Sequence, residues 1–272
     1  MEEINVNNWA EFEHQIHLLK TKNPRQNEQD KYLFRGQANH GWNLETTLER
    51  RGQILSLSEY HRLIVEIKPD IEKFTQTKLD VSLEDIKPPL DRDPRNLTVL
   101  LFHLGSPEFS ETYKYMVYLR HHGFPSPLLD WTSCFETAAY FAFREPVRSD
   151  KISIYAYLEF AGTSYAKFRK GDHPQIHKFG PYGTNETRHR NQKSQYTICF
   201  ISTDTEWCYV SHENNFARSD SDQDLLWKFN IPSCERNKVL KLLDAHGINA
   251  LSLFESEESL METLTLRKID KI

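Results

Sequence analysis

The sequence predicts an α+β fold in which one mixed domain contains a largely antiparallel sheet flanked by helices. Segments with helical periodicity and segments with strand alternation both occur, and they do not follow the strict strand-helix-strand order of a doubly wound sheet. Hydrophobic residues make up 38% of the 272 residues and aromatic residues 12%, which is enough for a substantial buried core. We therefore expect a single domain over residues 1–272.

The composition and the first residues indicate a soluble protein. Charged residues make up 27% of the chain, and the mean hydropathy is −0.66. No apolar run approaches the roughly 18 residues needed to span a bilayer, and the N-terminal sequence lacks the basic and apolar regions of a secretory signal. We expect a cytoplasmic protein without membrane contact. The four cysteines occur singly, so neither a disulfide framework nor a metal site is expected.

The N-terminal region is predicted to contain one helix and one short strand. Apolar residues at three- and four-residue spacing follow Asn8, a good cap, and predict an amphipathic helix over residues 8–20. The aromatic-rich run 32–35 predicts a strand that stops in a turn at Gly36. Arg35 is therefore expected at the end of a strand.

Helices and strands mix along the rest of the chain. A helical pattern follows Ser58 and is interrupted at Pro69, and another helix is predicted from residues 106–108 to a stop at Gly123. A rigid proline-containing loop then leads to a helix from Phe135. Further strands are predicted at 152–158, 197–201, 225–231 and 249–254, and further helices at 234–246, capped by Ser233, and after the cap Ser256.

Arg35 and Gly36 form the first candidate for a functional site. A guanidinium suits a phosphate or carboxylate, and a following glycine lets the backbone approach a ligand closely. An arginine paired with a nearby acid is the ordinary alternative, and the dipeptide alone does not decide between the two.

The second candidate is the segment that leads into the helix at Phe135. Asp130, Thr132 and Ser133 place a carboxylate and two hydroxyls just before that helix, where they could serve a site, cap the helix, or do both. His121, at the end of the preceding helix, could belong to the site or complement the helix dipole.

The third candidate is a basic stretch at 165–193. Seven lysines and arginines stand against two acids, an excess of five positive charges within a chain of net charge −5. Interleaved aromatic residues favour nucleic-acid binding, while an ordinary solvated loop remains the alternative. Histidines in this stretch lack the supporting ligands of a metal site.

Three separated segments resemble the FRG family, which is named for its Phe/Tyr-Arg-Gly motif. They are Tyr-Leu-Phe-Arg-Gly-Gln at 32–37, Leu-Arg-His-His-Gly-Phe-Pro-Ser-Pro-Leu-Leu-Asp-Trp-Thr at 119–132, and the ending between Ile231 and Phe254. The resemblance runs from about residue 30 to residue 260 and implies one FRG-type domain over nearly the whole chain. One difference is that the family usually has Pro-Thr-Arg where this chain has Pro-Ser-Pro, so Pro127 replaces the usual arginine.

The layout is similar, more distantly, to arginine-serine-glutamate ADP-ribosyltransferases. This resemblance implies a split antiparallel sheet, NAD as the substrate, Arg35 on the NAD phosphates and Thr132 bracing the site. The remaining NAD contacts that it implies come from Gly36, Gln37, His121, Asp130 and Ser133. The family's glutamate, which steadies the oxocarbenium-like state, is represented here by Glu186 or by Gln192, and both stay open.

The two resemblances imply an NAD-dependent ADP-ribosyltransferase that modifies a macromolecular acceptor, with RNA or DNA as candidates. The basic residues that would bind the acceptor are Lys167, Arg169, Lys170, Arg188 and Arg190. A toxin or phage-defence role, with an inhibitory partner such as an antitoxin, would fit an FRG protein. Two alternatives stay open: a non-catalytic nucleotide- or nucleic-acid-binding module, and an unrelated hydrolase that uses His121 and Asp130 as an acid-base pair.

Overall fold

One mixed sheet organises the chain in the computed structural model, which describes residues 1–22, 32–79, 110–146, 149–161, 173–179, 187–203, 206–216 and 223–269. Its strands are β1 (Glu2–Asn5), β2 (Leu33–Gln37), β3 (Leu129–Thr132), β4 (Lys151–Phe160), β5 (Gln175–Phe179), β6 (Ser194–Ser202), β7 (Trp207–Tyr209) and β8 (Gln223–Pro232). The order across the sheet is β1-β8-β4-β2-β3-β6-β5, and β7 also pairs with β6. Of the strand pairs within these ranges, β1–β8 is parallel and the others are antiparallel. The predicted α+β fold with a largely antiparallel sheet is confirmed.

The sheet is nearly divided between β2 and β3. Strand β2 pairs with β4 along its whole length, but its pairing with β3 consists of Phe34 opposite Thr132. Next to this pair, the Nη1 atom of Arg35 donates a hydrogen bond to the backbone oxygen of Asp130 at 2.8 Å. The expected split of the sheet is therefore incomplete, because β2 and β3 remain paired at this position and the Arg35 side chain joins them beside it.

Helices cover both parts of the sheet. They are α1 (Trp9–Lys22), α2 (Leu57–Glu66), α3 (Lys68–Thr75), α4 (Ser110–His121), α5 (Phe135–Phe143), α6 (Thr187–Asn191), α7 (Arg236–Ala245), α8 (Ala250–Phe254) and α9 (Glu257–Lys268). Helices α1, α5 and α7 share one apolar core with β4 and β8, while α2 and α4 share another with β6. Along the described segments, no helix combines the length and apolarity needed to cross a bilayer.

Strand β4 shows how alternation fixes the two faces of the sheet. Ile154 and Ala156 are buried against the helices α1, α5 and α7, whereas Tyr155 and Tyr157 belong to a core on the opposite face. Both sets are almost fully buried because side chains alternate between the two faces of a strand. Strand β4 is therefore covered on both faces of the sheet.

Arg35 lies inside β2, so the predicted strand end at this residue is wrong. The strand continues to Gln37, and Gly36 pairs with Ile154 of β4. A Cβ atom on Gly36 would lie 1.9 Å from the backbone oxygen of Ala138 and 2.8 Å from the backbone nitrogen of Ala142. The glycine is required because the backbone of α5 lies directly on the strand, and it does not form a turn.

Several predicted element boundaries also need correction. The strand predicted at 249–254 is helix α8, because the Asn249 side chain accepts a hydrogen bond from the backbone nitrogen of Ser252 and starts a helix. Helix α2 begins at Leu57, just before Ser58, and its cap Ser56 forms a capping box with Glu59. Ser233 opens a 3-10 turn, so α7 begins only at Arg236.

The middle of the chain contains a strand that the sequence analysis described as a loop. The segment before α5 is not only a loop, since it contains the strand β3. The predicted helix start at 106–108 lies outside the described residues, although α4 itself is present. The predictions of α1, β4, β6, β8 and the Ser256-capped α9 are confirmed.

We expect Gly36→Ala to destabilise the fold by more than about 3 kcal/mol, beyond the usual cost of overpacking, because two backbone atoms of α5 would have to move. The measurement is the free energy of unfolding in urea. Gly41→Ala is the matched control, since its Cβ would meet only the Asn39 side chain at 3.4 Å. Equal effects of the two substitutions would contradict the packing role of Gly36.

Candidate functional site

A cavity of about 510 Å³ opens where β2 and β3 separate. Its lining comes from β2, β3, the end of α4, one side of α5, and the region of α6. The volume is in the range of small-molecule sites. Among the residues that the structure describes, five arginines and two carboxylates line it: Arg35, Arg50, Arg120, Arg144, Arg188, Asp130 and Glu145. This described lining carries an excess of three positive charges and favours an anionic ligand.

Arg35 and Arg120 share the carboxylate of Asp130. Arg120 Nη2 donates to Asp130 Oδ2, and Arg35 Nη1 lies 3.7 Å from the same oxygen. Arg35 also holds the backbone of Asp130, as described above. Two guanidiniums from different elements thus converge on one acid at the division of the sheet.

The same two arginines retain donors that the described residues do not satisfy. The Nε atoms of Arg35 and Arg120 are both buried and have no hydrogen-bond acceptor there. An unpaired buried N–H group costs free energy comparable to a lost hydrogen bond. An anion with several oxygen atoms is the kind of ligand that could satisfy both.

The electrostatic surroundings of Arg35 support this interpretation. Burial lowers the pKa of its guanidinium from the usual value, Asp130 opposes that change, and the nearby positive charges of Arg120 and Arg50 lower the pKa further. Arg50 is exposed, and within the described ranges it makes no ion pair. Arg35 therefore has two positively charged neighbours and one carboxylate beside it, an imbalance that a further negative charge would offset.

His121 lies in the cavity as a neutral imidazole at neutral pH. Burial, opposed by Asp130 and assisted by Arg188, lowers the pKa of His121 to about 4. Its Nε2 atom is 2.7 Å from the hydroxyl of Tyr196, which also lines the cavity. This ring can therefore exchange a hydrogen bond with a ligand or with Tyr196 without adding charge.

Thr132 and Gln192 join β3 to α6. The Thr132 hydroxyl donates to the backbone oxygen of Gln192 at 2.8 Å and accepts from the backbone nitrogen of Cys134. The Gln192 side chain donates from Nε2 to the backbone oxygen of Leu253 in α8. Both residues line the cavity, and their observed bonds fix its wall.

The remaining predicted residues are distributed unevenly. Gly36 and Gln37 line the cavity, and Gln37 donates to the backbone oxygen of Asn43 while its buried Oε1 has no donor within the described part of the chain. Ser133 and Arg190 are not lining residues, and Arg190 is exposed. The predicted residues Glu186, Lys167, Arg169 and Lys170 lie outside the described residues.

Several lining residues were missed by the sequence analysis as site residues. The charged ones are Arg50, Arg120, Arg144 and Glu145, and the aromatic ones include Trp42, Phe141 and Tyr196. Arg120 lies inside the FRG-like segment 119–132, and Trp42 lies a few residues after the segment 32–37, so proximity to those motifs was the available signal. Arg144 and Tyr196 carried no such signal, because only the fold brings them to the cavity.

A comparison with protein families identifies the part of the chain that carries Arg35 and Asp130. The family model of the FRG domain matches residues 30–151, the segment that contains both residues, together with α5. The chain carries an FRG domain. No curated protein and no solved structure matches the chain.

The FRG match covers only part of the cavity. It includes four of the five lining arginines and both carboxylates, whereas Arg188, Gln192 and Tyr196 come from beyond it. The wider extent implied by the resemblance, to about residue 260, stays a prediction. The cavity nevertheless needs residues from both sides of the boundary at residue 151.

His121 and Asp130 line the same cavity, as an acid-base pair would require. Their polar atoms have other partners, however, since His121 bonds to Tyr196 and Asp130 to Arg120. The arrangement of the FRG domain therefore favours binding of an anion over general acid-base catalysis by this pair.

We expect Asp130→Asn to destabilise the protein by about 1–3 kcal/mol, because it leaves two partly buried guanidiniums facing each other. The carboxylate is 37% exposed, so the loss stays below that of a fully buried pair. Urea unfolding with and without inorganic phosphate measures it. Phosphate should reduce the loss, and Asp150→Asn, at an 80% exposed position, should change stability little. No loss in Asp130→Asn would contradict the shared ion pair.

We expect His121→Gln to flatten the acid side of the stability profile. The folded-state pKa of about 4 lies below the ordinary 6.5, so the unfolded chain binds the proton first. The contribution of this residue is complete above about pH 6.5 and decreases as the pH falls toward about 4. Thermal melts from pH 7 to pH 4 compare the wild type with His121→Gln and with His122→Gln, the exposed control. A profile unchanged in His121→Gln would refute the assignment.

Proposed function

We propose that the FRG domain binds NAD in this cavity and transfers ADP-ribose to a macromolecular acceptor, with RNA or DNA as the first candidates. The observation that carries the proposal is the convergence of Arg35 and Arg120 on Asp130, with an unsatisfied Nε donor on each arginine. A diphosphate has the oxygen atoms and the charge to satisfy those donors.

The surroundings of these arginines support a nucleotide rather than a free phosphate. Trp42 is 50% exposed and lines the cavity, and in the described segments it has no aromatic ring stacked on it. Exposed tryptophan rings are suitable surfaces for a planar base. The cavity is also large enough for more than a phosphate group.

In the proposed reaction the bond between the nicotinamide nitrogen and the ribose carbon breaks, and nicotinamide leaves with the electron pair. A nucleophile of the acceptor forms the new bond to that carbon and releases its proton to solvent. Glu186 or the side-chain oxygen of Gln192 would stabilise the positive charge on the ribose. Arg35 would hold the diphosphate, with Thr132, Gln37 and His121 shaping the pocket.

A binding module without turnover is the second candidate, and one observation favours it. The two carboxylates among the described lining residues both face arginines: Asp130 is held by Arg35 and Arg120, and Glu145 lies 3.9 Å from Arg144. A carboxylate committed in this way is less suited to stabilising a cationic sugar. This candidate predicts nucleotide or nucleic-acid affinity that falls with salt and no release of nicotinamide.

We expect the wild type to release nicotinamide from labelled NAD and to transfer label to an acceptor, and we expect Arg35→Ala to lower both by at least about a hundredfold. Because Arg35 also joins β2 to β3, Arg50→Gln provides a second test that the fold should tolerate. Arg50→Gln should weaken NAD binding about tenfold. Arg51→Gln, at an exposed position outside the cavity, is the matched control.

Three outcomes separate the candidates. Release of nicotinamide with transfer to protein, RNA or DNA supports the transferase and identifies the acceptor. Binding of NAD without release by well-folded protein, over all three kinds of acceptor, supports the binding module. The proposed NAD site would be refuted if NAD did not bind, or if Arg50→Gln and Arg51→Gln changed NAD affinity equally.

A further inference from the structure

Phe254, at the end of α8, holds two of the cavity arginines. The guanidinium carbon of Arg144 lies 4.6 Å from the centroid of the Phe254 ring, and that of Arg188 lies 4.7 Å from it. Arg144 directly follows α5, and Arg188 belongs to α6. Two positive charges from different helices are thus brought together at one ring. Cation–π attraction offsets part of their repulsion.

Within the described residues, a carboxylate pairs closely with only one of these two arginines. Glu262 pairs with Arg144 through Nε and Nη2, at 3.0 and 2.8 Å. Glu145 is also near Arg144, but its side chain is 73% exposed and contributes little. In the part of the chain that the structure describes, Arg188 pairs with no carboxylate. One positive charge at Phe254 therefore remains available to a ligand.

The position of Arg188 is fixed by contacts on either side of Phe254. Asn191 donates from Nδ2 to Glu255 Oε1 at 2.6 Å, and Gln192 donates to the backbone oxygen of Leu253 at 3.1 Å. These bonds attach α6 and the residue after it to α8. Arg188 is consequently presented to the cavity by a supported element, which reduces the entropy lost when it binds an anion.

This pair is distinct from the arginines at the division of the sheet. Within the described residues, no hydrogen bond or ion pair joins Arg144 or Arg188 to Arg35, Arg120 or Asp130. Each pair of arginines has its own closely bound carboxylate, Asp130 in one and Glu262 in the other, and keeps an excess of positive charge. The cavity therefore contains two separate regions that favour anions.

We propose that Arg144 and Arg188, held by Phe254, form a second phosphate subsite of the cavity, so that the ligand carries a phosphate group beyond the diphosphate of NAD. The inference rests on the proposed function in that the diphosphate occupies Arg35 and Arg120. The additional phosphate can belong to a dinucleotide phosphorylated on its ribose, as in NADP, or to the phosphodiester backbone of the acceptor. In each case a phosphate oxygen accepts from the Arg188 guanidinium.

The test is a calorimetric titration of NAD, NADP and a short single-stranded oligonucleotide into the wild type, Arg188→Gln and Arg51→Gln. Arg51 is exposed, does not line the cavity and has no proposed role in binding, so it is the matched control. We expect Arg188→Gln to weaken NADP binding about tenfold while NAD binding changes less than about twofold. Arg51→Gln should leave the binding of all three ligands unchanged.

Phe254 is a positioning residue in this proposal and has its own readout. Phe254→Leu should lower the ratio of NADP affinity to NAD affinity, because the arginines lose the ring that holds them. Phe254→Tyr retains the ring and should restore the ratio. A loss of stability alone would weaken the binding of both dinucleotides and leave that ratio unchanged.

Each outcome decides the proposal. If Arg188→Gln weakens binding of the oligonucleotide but not of NADP, the subsite is supported and the additional phosphate belongs to the acceptor. Equal weakening of NAD and NADP with no effect on the oligonucleotide, or no effect of Arg188→Gln on any ligand, overturns it. If neither dinucleotide binds the wild type, the proposed function fails, and the oligonucleotide comparison alone still supports or overturns the subsite.

Discussion

The contact between Arg35 and Asp130 determines how the cavity is built. The sheet is close to separating between β2 and β3, where Phe34 and Thr132 pair, and the Arg35 side chain supplies the next connection through the backbone oxygen of Asp130. A separation of strands is normally a weakness because it leaves main-chain polar groups unpaired. Here the gap opens into the cavity, and the residue that bridges it is the one proposed to bind the anion.

This arrangement makes the charge of the site and the stability of the fold interdependent. The negative charge of Asp130 reduces the repulsion between the Arg35 and Arg120 guanidiniums. The two arginines in turn occupy the carboxylate, so it is not free to act as a base. A bound anion would add to the attraction and relieve the unsatisfied Nε donors. Binding of an anion at these residues would therefore also contribute to the stability of the fold.

The sequence predicted the fold class and the residues around Arg35 and Asp130, because alternation and the FRG-like motifs are local signals. It did not predict why a glycine is required at position 36. The backbone of Ala138 lies against Gly36, although the two residues are far apart in the sequence, and a glycine after a short strand is also typical of turns. Residues 249–254 were misassigned because a short apolar run fits either a strand or a helix, and the Asn249 cap decided the outcome. Arg144 and Phe254 could not be associated from sequence, since their contact depends on how α8 packs beside α5 and α6.

The end of the family match has a consequence for how the protein can be divided. The matched segment stops at residue 151, which is the first residue of β4, the strand that pairs with the whole of β2. A fragment cut at that point would expose the edge of β2 and leave β3 without β6, so two hydrophobic strand edges would be open to other chains. The matched segment is thus the part of the chain that the family comparison identifies, whereas the sheet that must fold with it extends well beyond residue 151. Constructing chimeras of FRG proteins by exchange of the matched segment alone would divide a continuous sheet.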